Sequence, residues 1–361
     1  MEHLGQTIEI EGTHGEGGGQ ILRVALALSA VTRKPVHVAR VRGKRSPPGL
    51  RPQHRTSVEA LTRFVEGEAK GGYVGSTDVV FCPRSPRPGR LVADIGTAGS
   101  TTLILQSLLP VMLFSGRASE AEIYGGTDNP LAPPVDYVDR VLFPMLARMG
   151  ARAELRLKRR GFYPKGGGSL EVHTESIRSL DPIELVEAGE VMSVGGVAYS
   201  SRLSGHIVPR MINSAVSLLE SERIPNSGIE QEILQRDDPR CAFSPGVGMV
   251  LTSKLSSGAI VGSDELGRIG RTSEDVGRSV ASSLIHLIQG KIPVDEHLGD
   301  QLLIYMALAR GHSTIRVAEV TTHMVSCIYV CERFLGRIFT LGQETGGATT
   351  ISCNGVGLAA R

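Results

Sequence analysis

Short segments of alternating apolar and polar residues recur along the chain, each followed by a glycine-rich turn and a longer apolar segment. Ile8 and Ile10 alternate with two glutamates, which predicts a half-buried strand. After the loop GTHGEGGG, residues 21–31 are almost wholly apolar and carry one charge, Arg23. This stretch predicts a helix that is buried nearly all round.

The same succession of strand, glycine turn and helix is repeated through the first half. We predict strands at residues 91–95, 153–157 and 169–173, and helices at residues 101–114 and 135–149. The spacing is not constant, so the repetition is structural rather than a repeat of sequence.

A different pattern occupies residues 180–290. Strands are predicted at residues 191–199, 229–234, 249–255 and 259–263, and helices at residues 209–222 and 274–289. These elements suffice for a small core of their own. We therefore predict an α+β protein in which residues 1–183 and 291–361 form a large domain, and residues 184–290 form an inserted smaller α/β domain.

Composition excludes several classes of protein. The chain has 361 residues, 41% of them hydrophobic, and its 39 basic and 37 acidic residues leave a net charge of +2, unlike a histone or an acidic tail. It has neither a continuous apolar span of membrane length nor a secretory signal, so we expect a cytoplasmic protein with no membrane partner. The five cysteines are scattered, and Cys327 and Cys331 lie among apolar residues, where core packing is expected.

The segment EGGGQILR at residues 16–23 is a candidate anion site. Glycines before a helix let backbone N–H groups approach an anion, and the amino end of a helix favours negative charge. Arg23, which we place in the first turn, would carry an unfavourable charge there unless an anion or a carboxylate such as Glu16 pairs with it. Both pairings remain open.

Residues 33–55 form a basic window with eight cations and no Asp or Glu. Such a window suits a phosphate-rich ligand, although a solvated basic loop is the ordinary alternative. Near the end of this window, Gln53 and His54 are predicted to open a helix. From the local pattern alone, Asp300 is predicted to interact with the dipole at the amino end of its helix. A single histidine in the setting of His323 is more often a hydrogen-bonded core residue than a nucleophile.

Together these segments resemble the RNA 3′-terminal phosphate cyclase family. The resemblance rests on EGGGQILR at 16–23, the loop 42–54, GGTDNPLAPP at 125–134, RGFYPKGGGSL at 160–170, DEHLGDQLL at 295–303 and TTHMVS at 321–326. It spans nearly the whole chain in order. It implies a large domain of repeated βαβαββ-like units and an inserted smaller domain, in agreement with the pattern above.

The resemblance also implies a reaction and its partners. ATP adenylylates a histidine, AMP passes to the 3′-phosphate of an RNA end, and the neighbouring 2′-hydroxyl expels AMP to leave a 2′,3′-cyclic phosphate. His323 matches the nucleophile, and Glu16 matches a carboxylate beside a divalent ion, Mg²⁺ or Mn²⁺, and the ATP phosphates. A neutral imidazole suits the first step, because an ordinary histidine is mostly deprotonated at pH 7.

Further positions carry over one by one from the family. Those expected around the nucleotide are Gln20, Pro133 and His297, with Asp300 and Gln301; Pro133 and His297 would sandwich adenine. Those expected around the phosphates are Arg23, Arg42, Arg45, Gln53 and His54. Whether copies of the chain associate as a homo-oligomer stays open.

Two departures and two rival functions accompany the resemblance. His297 stands where a tyrosine is expected, and Met324 and Val325 follow His323 where Thr-Asn is more usual. One rival is a ribosome-assembly protein that binds RNA on the same fold without catalysis; such relatives are expected to lack the histidine and several arginines. The other is enolpyruvyl transfer at the turn of residues 96–101, which leaves His323 and the basic window unexplained.

Overall fold

The computed structural model of the protein describes residues 7–15, 17–87, 89–344 and 347–360. Over these residues the fold is mixed α+β, as predicted, with four four-stranded sheets and the helices between them. Buried apolar side chains from all four sheets belong to one continuous core. No helix in this part of the chain is long and apolar enough to cross a membrane.

The first sheet contains the predicted amino-terminal strand. Its segment comprises β1 (Ile8–Glu11), α1 (Gly19–Thr32), β2 (Val36–Ala39), α2 (Pro52–Phe64), β3 (Glu68–Lys70) and β4 (Val79–Cys82). The strand order is β1-β2-β4-β3, with β1 and β2 parallel and the other pairs antiparallel. Residues 20–30 of α1 are all buried, which explains why its sequence is apolar on every side.

The second sheet has the same strand order and the same strand directions. Its segment comprises β5 (Arg90–Asp94), α3 (Thr101–Leu113), β6 (Ser119–Gly125), α4 (Val135–Tyr137), a π-helical turn (Val138–Leu142), α5 (Phe143–Arg148), β7 (Ala153–Arg159) and β8 (Gly168–Thr174). The helix predicted at 135–149 is present but contains the π turn. Pro144, in the first turn of α5, has no N–H to return to the preceding turn, which accounts for the wider winding.

The third segment builds a sheet with two long helices on it. It comprises β9 (Glu184–Leu185), then β10 (Val191–Ser201), α6 (Ile207–Ser221), β11 (Asn226–Leu234), β12 (Gly246–Leu255), β13 (Ile260–Leu266) and α7 (Ser273–Gln289). Strands β10 to β13 form this sheet in the order β11-β10-β12-β13. The six elements predicted between residues 191 and 289 are all present, within a few residues of the expected ends.

The last segment returns to β9. It comprises α8 (Glu296–Leu308), β14 (Arg310–Val317), α9 (Thr322–Leu335), β15 (Phe339–Gln343) and β16 (Thr349–Val356), in the sheet order β15-β16-β14-β9. Val294 adds a parallel bridge to Val317 beside β9, so the chain leaves this sheet after β9 and rejoins it before α8. Cys327 and Cys331 are buried in α9, which confirms the expected core packing.

Arg160 is a fully buried cation that ties β10 and β11 to the loop after β6. Its guanidinium donates to Asp136 Oδ2 at 2.8 Å and to Asp128 at 3.3 Å, and it also bonds Glu232 of β11. Its Cζ lies 3.6 Å from the ring centre of Tyr199 of β10. Burial alone would lower the pKa of this guanidinium, but the three carboxylates raise it well above its usual value.

Replacing Arg160 with Met should destabilise the protein by about 3–5 kcal/mol, because it leaves buried carboxylates without their cation. The matched control is Arg140→Met, which removes a more exposed ion pair with Glu230 of the same strand and should cost about 1 kcal/mol or less. Urea denaturation measures both free energies of unfolding. Equal costs for the two variants would contradict this role of Arg160.

Candidate active site

The amino ends of four helices meet at one cavity of about 250 Å³. Residues from their first turns line it: Gln20 of α1, Thr102 of α3, His297 of α8 and His323 of α9. Each helix presents unpaired N–H groups and roughly half a positive charge at this end. The cavity is therefore suited to an anion such as a phosphate.

Seven residues singled out from the sequence line this cavity. They come from four separate segments of the chain: Gln20, Arg23, Pro133, His297, Asp300, Gln301 and His323. The fold thus brings together residues that are far apart in the sequence, such as Gln20 and His323, which are separated by 303 positions. Their chemical roles stay predictions.

Arg23 is a buried cation at the cavity wall. Because α1 begins at Gly19, Arg23 is its fifth residue and starts the second turn, which corrects our placement in the first turn. Its Nε donates to Gln106 Oε1 at 2.8 Å, a neutral partner. Burial lowers the pKa of Arg23 to about 10, and the charge of Asp300 offsets only part of that cost. An anion in the cavity would offset the rest.

Asp300 is the fifth residue of α8 and starts its second turn, later than we expected for an N-terminal partner of the helix dipole. Asp295 is the N-cap of α8, and its side chain accepts a hydrogen bond from Leu298 N at 3.0 Å. Asp300 lies one turn later and faces the cavity, where burial raises its pKa to about 7. Its neighbour Gln301 donates to the carbonyl of His297 at 2.9 Å, so this amide braces the start of the helix.

His323 is half-buried at the cavity, not in the hydrophobic core. It is the second residue of α9, whose N-cap Thr321 accepts from Met324 N at 3.1 Å. Its Nδ1 is buried and has no hydrogen-bond partner within the described part of the chain. Burial and the positive charges of Arg23 and Arg45 lower the pKa of His323. The imidazole is therefore neutral at pH 7, the form that acts as a nucleophile.

The basic window packs beside the cavity rather than lining it. A Cβ on Gly19 would lie only 2.2 Å from His54 Nε2, so this histidine contacts the start of α1 directly. Burial lowers the pKa of His54 to about 3, and Arg51 N donates to its Nδ1 at 3.0 Å. Gln53 Oε1 accepts from Ser100 N at 3.1 Å and joins α2 to the start of α3.

Arg42 and Arg45 lie in the loop that precedes α2. Arg42 has a positive φ and donates to the carbonyls of Pro47 and Gly49 at 3.0 Å, which closes this loop. Arg45 is exposed, and its positive charge helps to lower the pKa of His323. Neither lines the cavity itself.

The glycine-rich loop lies between the basic window and α9. Gly15 has a φ of +52°, and a Cβ there would lie 2.5 Å from Ser326 Oγ. Lys44 Nζ donates to the carbonyl of Gly15 at 3.0 Å, and the Lys44 side chain packs on Gly17. Glu16, the expected metal ligand, lies outside the described residues. The described residues contain no group of three or more His, Cys, Asp or Glu side chains that could hold a metal ion.

Sequence reasoning missed several residues of the cavity. Thr102 Oγ1 donates to the carbonyl of Pro133 at 2.8 Å and fixes that loop to α3. Leu131 lines the cavity with a φ of +64° and is 97% exposed, an unusual state for a leucine. It belongs to a segment that we had singled out, but its exposure could not be read from the sequence. Leu103, Gln106, Glu296 and Thr321 complete this group.

The sequence profile of the family described as RNA 3′-terminal phosphate cyclase matches residues 14–341 of the chain. A protein of that name from Korarchaeum cryptofilum is 42% identical over 351 residues, which are 97% of this chain and 99% of the relative. Another from Thermococcus gammatolerans is 43% identical and covers 94% of this chain and 95% of its own length. The chain belongs to the RNA 3′-terminal phosphate cyclase family.

The match to the cyclase family includes the whole lining of the cavity. The family match covers every residue that lines it, because all of them lie between residues 14 and 341. A third relative of the same name, from Staphylothermus marinus, is 41% identical over 98% of this chain. The segments on which the resemblance rested therefore belong to one family-wide match.

In this member of the cyclase family, Arg45→Gln should raise the pKa of His323, because it removes a positive charge that disfavours the imidazolium. His323 in the unaltered protein should titrate below the ordinary histidine range. Chemical-shift titration of labelled histidines measures both values, with His323→Asn to assign the signal. Arg310→Gln, at the far end of β14 from α9, should leave the pKa unchanged; a downward shift in Arg45→Gln would contradict the account.

Proposed function

We propose that this protein uses ATP to convert an RNA 3′-terminal phosphate into a 2′,3′-cyclic phosphate through a covalent histidine-AMP intermediate and an adenylylated RNA end. The observation that carries the proposal is His323, with its lowered pKa, on an anion-suited cavity beside the buried Arg23. Family membership supports the same activity.

In the first step, ATP enters with its base between Pro133 and His297 and its phosphates toward the helix ends. The buried Nε2 of Gln20, which has no partner within the residues described, is available to a phosphate oxygen. His323 attacks the α-phosphorus, the bond to the β-phosphate oxygen breaks, and pyrophosphate leaves. Asp300 and Gln301 contact the nucleotide.

In the second step, an oxygen of the RNA 3′-phosphate attacks the same phosphorus and the imidazole leaves. A phosphate monoester is a poor electrophile, because its charge repels nucleophiles and oxide leaves badly. Transfer of AMP supplies a leaving group. The 2′-hydroxyl then attacks the 3′-phosphorus, loses its proton and expels AMP. Arg42 and Arg45, with Gln53 and His54, hold the RNA phosphate.

A divalent ion, Mg²⁺ or Mn²⁺, completes the proposal. Bound to Glu16 and to the phosphates, it would neutralise the triphosphate and help pyrophosphate leave. Mg²⁺ in nucleotide enzymes is commonly held by one or two carboxylates plus substrate oxygens, so a cage of three protein ligands is not required.

The proposal extends to the architecture. The shared strand order of the first two sheets, and the matching order of β14 to β16 with β9 and Val294, support three βαβαββ units in a large domain of residues 1–183 and 291–361. The inserted α/β domain, predicted at residues 184–290, then begins after β9, since Glu184 and Leu185 pair with β14 of the large domain. A cytoplasmic location and a homo-oligomer stay predictions.

The non-catalytic alternative is disfavoured by the residues that are present. A relative that only binds RNA or ribosomal partners needs neither a neutral histidine nor a buried arginine in one cavity, and this chain has both. Enolpyruvyl transfer has no role for His323, and the family match does not support it.

With ATP labelled at the α-phosphate and a divalent ion, the protein should form a covalent adduct that acid destroys and alkali does not, as expected of a phosphoramidate. His323→Asn should abolish it, since the amide cannot carry AMP. His206→Asn, which alters an exposed histidine before α6, is the control and should label normally. Retention of label at wild-type level in His323→Asn would refute the nucleophile assignment.

With ATP, an RNA bearing a 3′-phosphate should become resistant to phosphatase. Arg45→Ala should slow this conversion and reduce the salt dependence of RNA binding by about one unit of log–log slope, because one phosphate contact is lost. Arg310→Ala and an RNA with a 3′-hydroxyl are the controls. RNA binding that does not respond to salt would contradict the assignment of the basic window, and an end that stays phosphatase-sensitive would contradict the function.

A further inference from the structure

His297 stands in the wall between two cavities. One is the candidate nucleotide cavity, and the other is a neighbouring space of about 740 Å³ that His297 and Glu296 also line. Asp264 of β13 belongs to the second cavity. The His297 Nε2 lies 3.5 Å from Asp264 Oδ1, so the ring has one polar edge toward a carboxylate of the sheet β10–β13.

Asp264 lacks any other partner for that oxygen. Its Oδ1 is buried and makes no hydrogen bond within the described chain, and its side chain is only 14% exposed. A buried carboxylate oxygen without a donor is costly. The N–H of His297 Nε2 is positioned to supply one after a small closure of the 3.5 Å gap.

Other contacts hold β13 and α8 in a fixed position relative to each other. Gly262 N of β13 donates to Asp295 Oδ2 at 2.8 Å, which anchors that strand to the start of α8. The Tyr137 hydroxyl donates to the other oxygen of Asp295, and the Tyr137 ring meets His297 edge-on at 5.5 Å and 85°. Because these neighbouring groups are held in place, the His297 side chain can change its orientation mainly by rotation of its ring.

We propose that Asp264 is a positioning residue, which holds the His297 ring in the orientation that stacks on the base of the bound nucleotide. This inference rests on the proposed function. It assigns the sheet β10–β13 a part in nucleotide binding, although no residue of that sheet lines the nucleotide cavity. It also gives a reason for a histidine at 297, since an imidazole can stack and donate from its edge at once.

Charge supports the same pairing. Burial raises the pKa of Asp264 to about 6, against the opposing effect of His297. Burial would lower the pKa of His297, but surrounding carboxylates raise it. The titratable groups facing the ring are Asp264 from β13, Asp295, Glu296 and Asp300 from α8 and its cap, Tyr137 from α4, and His323 from α9. Above about pH 6, Asp264 is charged and attracts the N–H of His297; below that pH, protonation of Asp264 weakens this attraction.

Adenosine is the probe of choice, because it carries the base without a titrating phosphate. Asp264→Ala should weaken adenosine and ATP binding by about tenfold at pH 7.5, the scale of a lost hydrogen bond to a charged group. Glu319→Ala, which removes an exposed carboxylate of the same second cavity, should change binding less than twofold. In a His297→Phe background, Asp264→Ala should also have less than a twofold effect, since the edge that Asp264 holds is gone.

Asp264→Asn adds a variant that keeps an acceptor without the charge. At pH 7.5 it should bind adenosine as the unaltered protein does below about pH 6, more weakly than the charged form and better than Asp264→Ala, and its binding should lose the weakening that the unaltered protein shows as pH falls through about 6. Unchanged binding in Asp264→Ala, or an equal loss with and without His297, would overturn the inference. Failure of the unaltered protein to bind ATP at all would instead overturn the proposed function.

Discussion

The candidate site depends on one constraint, the meeting of helix amino ends at the carboxyl ends of parallel strands. β1 leads into α1, β5 into α3, Val294 into α8 and β14 into α9, and each of these helices begins at the same cavity. No single helix supplies a strong field, since each contributes about half a charge. Four of them, with the buried Arg23, make a site that suits an anion and keeps an imidazole neutral.

A second layer of buried polar contacts holds this arrangement in place. Arg160 anchors the loop after β6 through Asp128, and Thr102 fixes Pro133 of the same loop to α3. Asp295 joins its own helix to β13 and, through Tyr137, to α4. Because these groups are buried, the loss of a hydrogen-bond partner would lower the free energy of unfolding. The contacts therefore keep the walls of the cavity at a fixed spacing. The sheet β10–β13 is therefore part of the support for the site.

Periodicity alone predicted several long helices well. α1, α3, α6 and α7 were found within a few residues of their expected bounds, because each buries a wide apolar face. Strands β3 and β9 were missed, since two or three residues show no period, and the longer strands β6, β14 and β16 were not predicted either. Asp300 lies further along its helix than we expected of a dipole partner, because the N-cap of α8 is Asp295, five residues earlier.

The candidate site needed more than pattern. Nothing local distinguishes His323 from nine other histidines, and the resemblance to a family was required to single it out. The partners of Arg160 lie 24 to 72 residues away in sequence, so its network could not be read from spacing. No sequence pattern singled out Asp264, because its proposed role depends on the His297 ring of α8. Contacts between distant segments are what the fold adds to the sequence.

The central claim is that His323 carries AMP on the way to the RNA end. The direct measurement is to isolate the adenylylated protein, remove ATP, and add an RNA with a 3′-phosphate. The account predicts that the AMP leaves the protein and that about one RNA end per adduct becomes resistant to phosphatase. An adduct that persists while the RNA ends stay unchanged would contradict it.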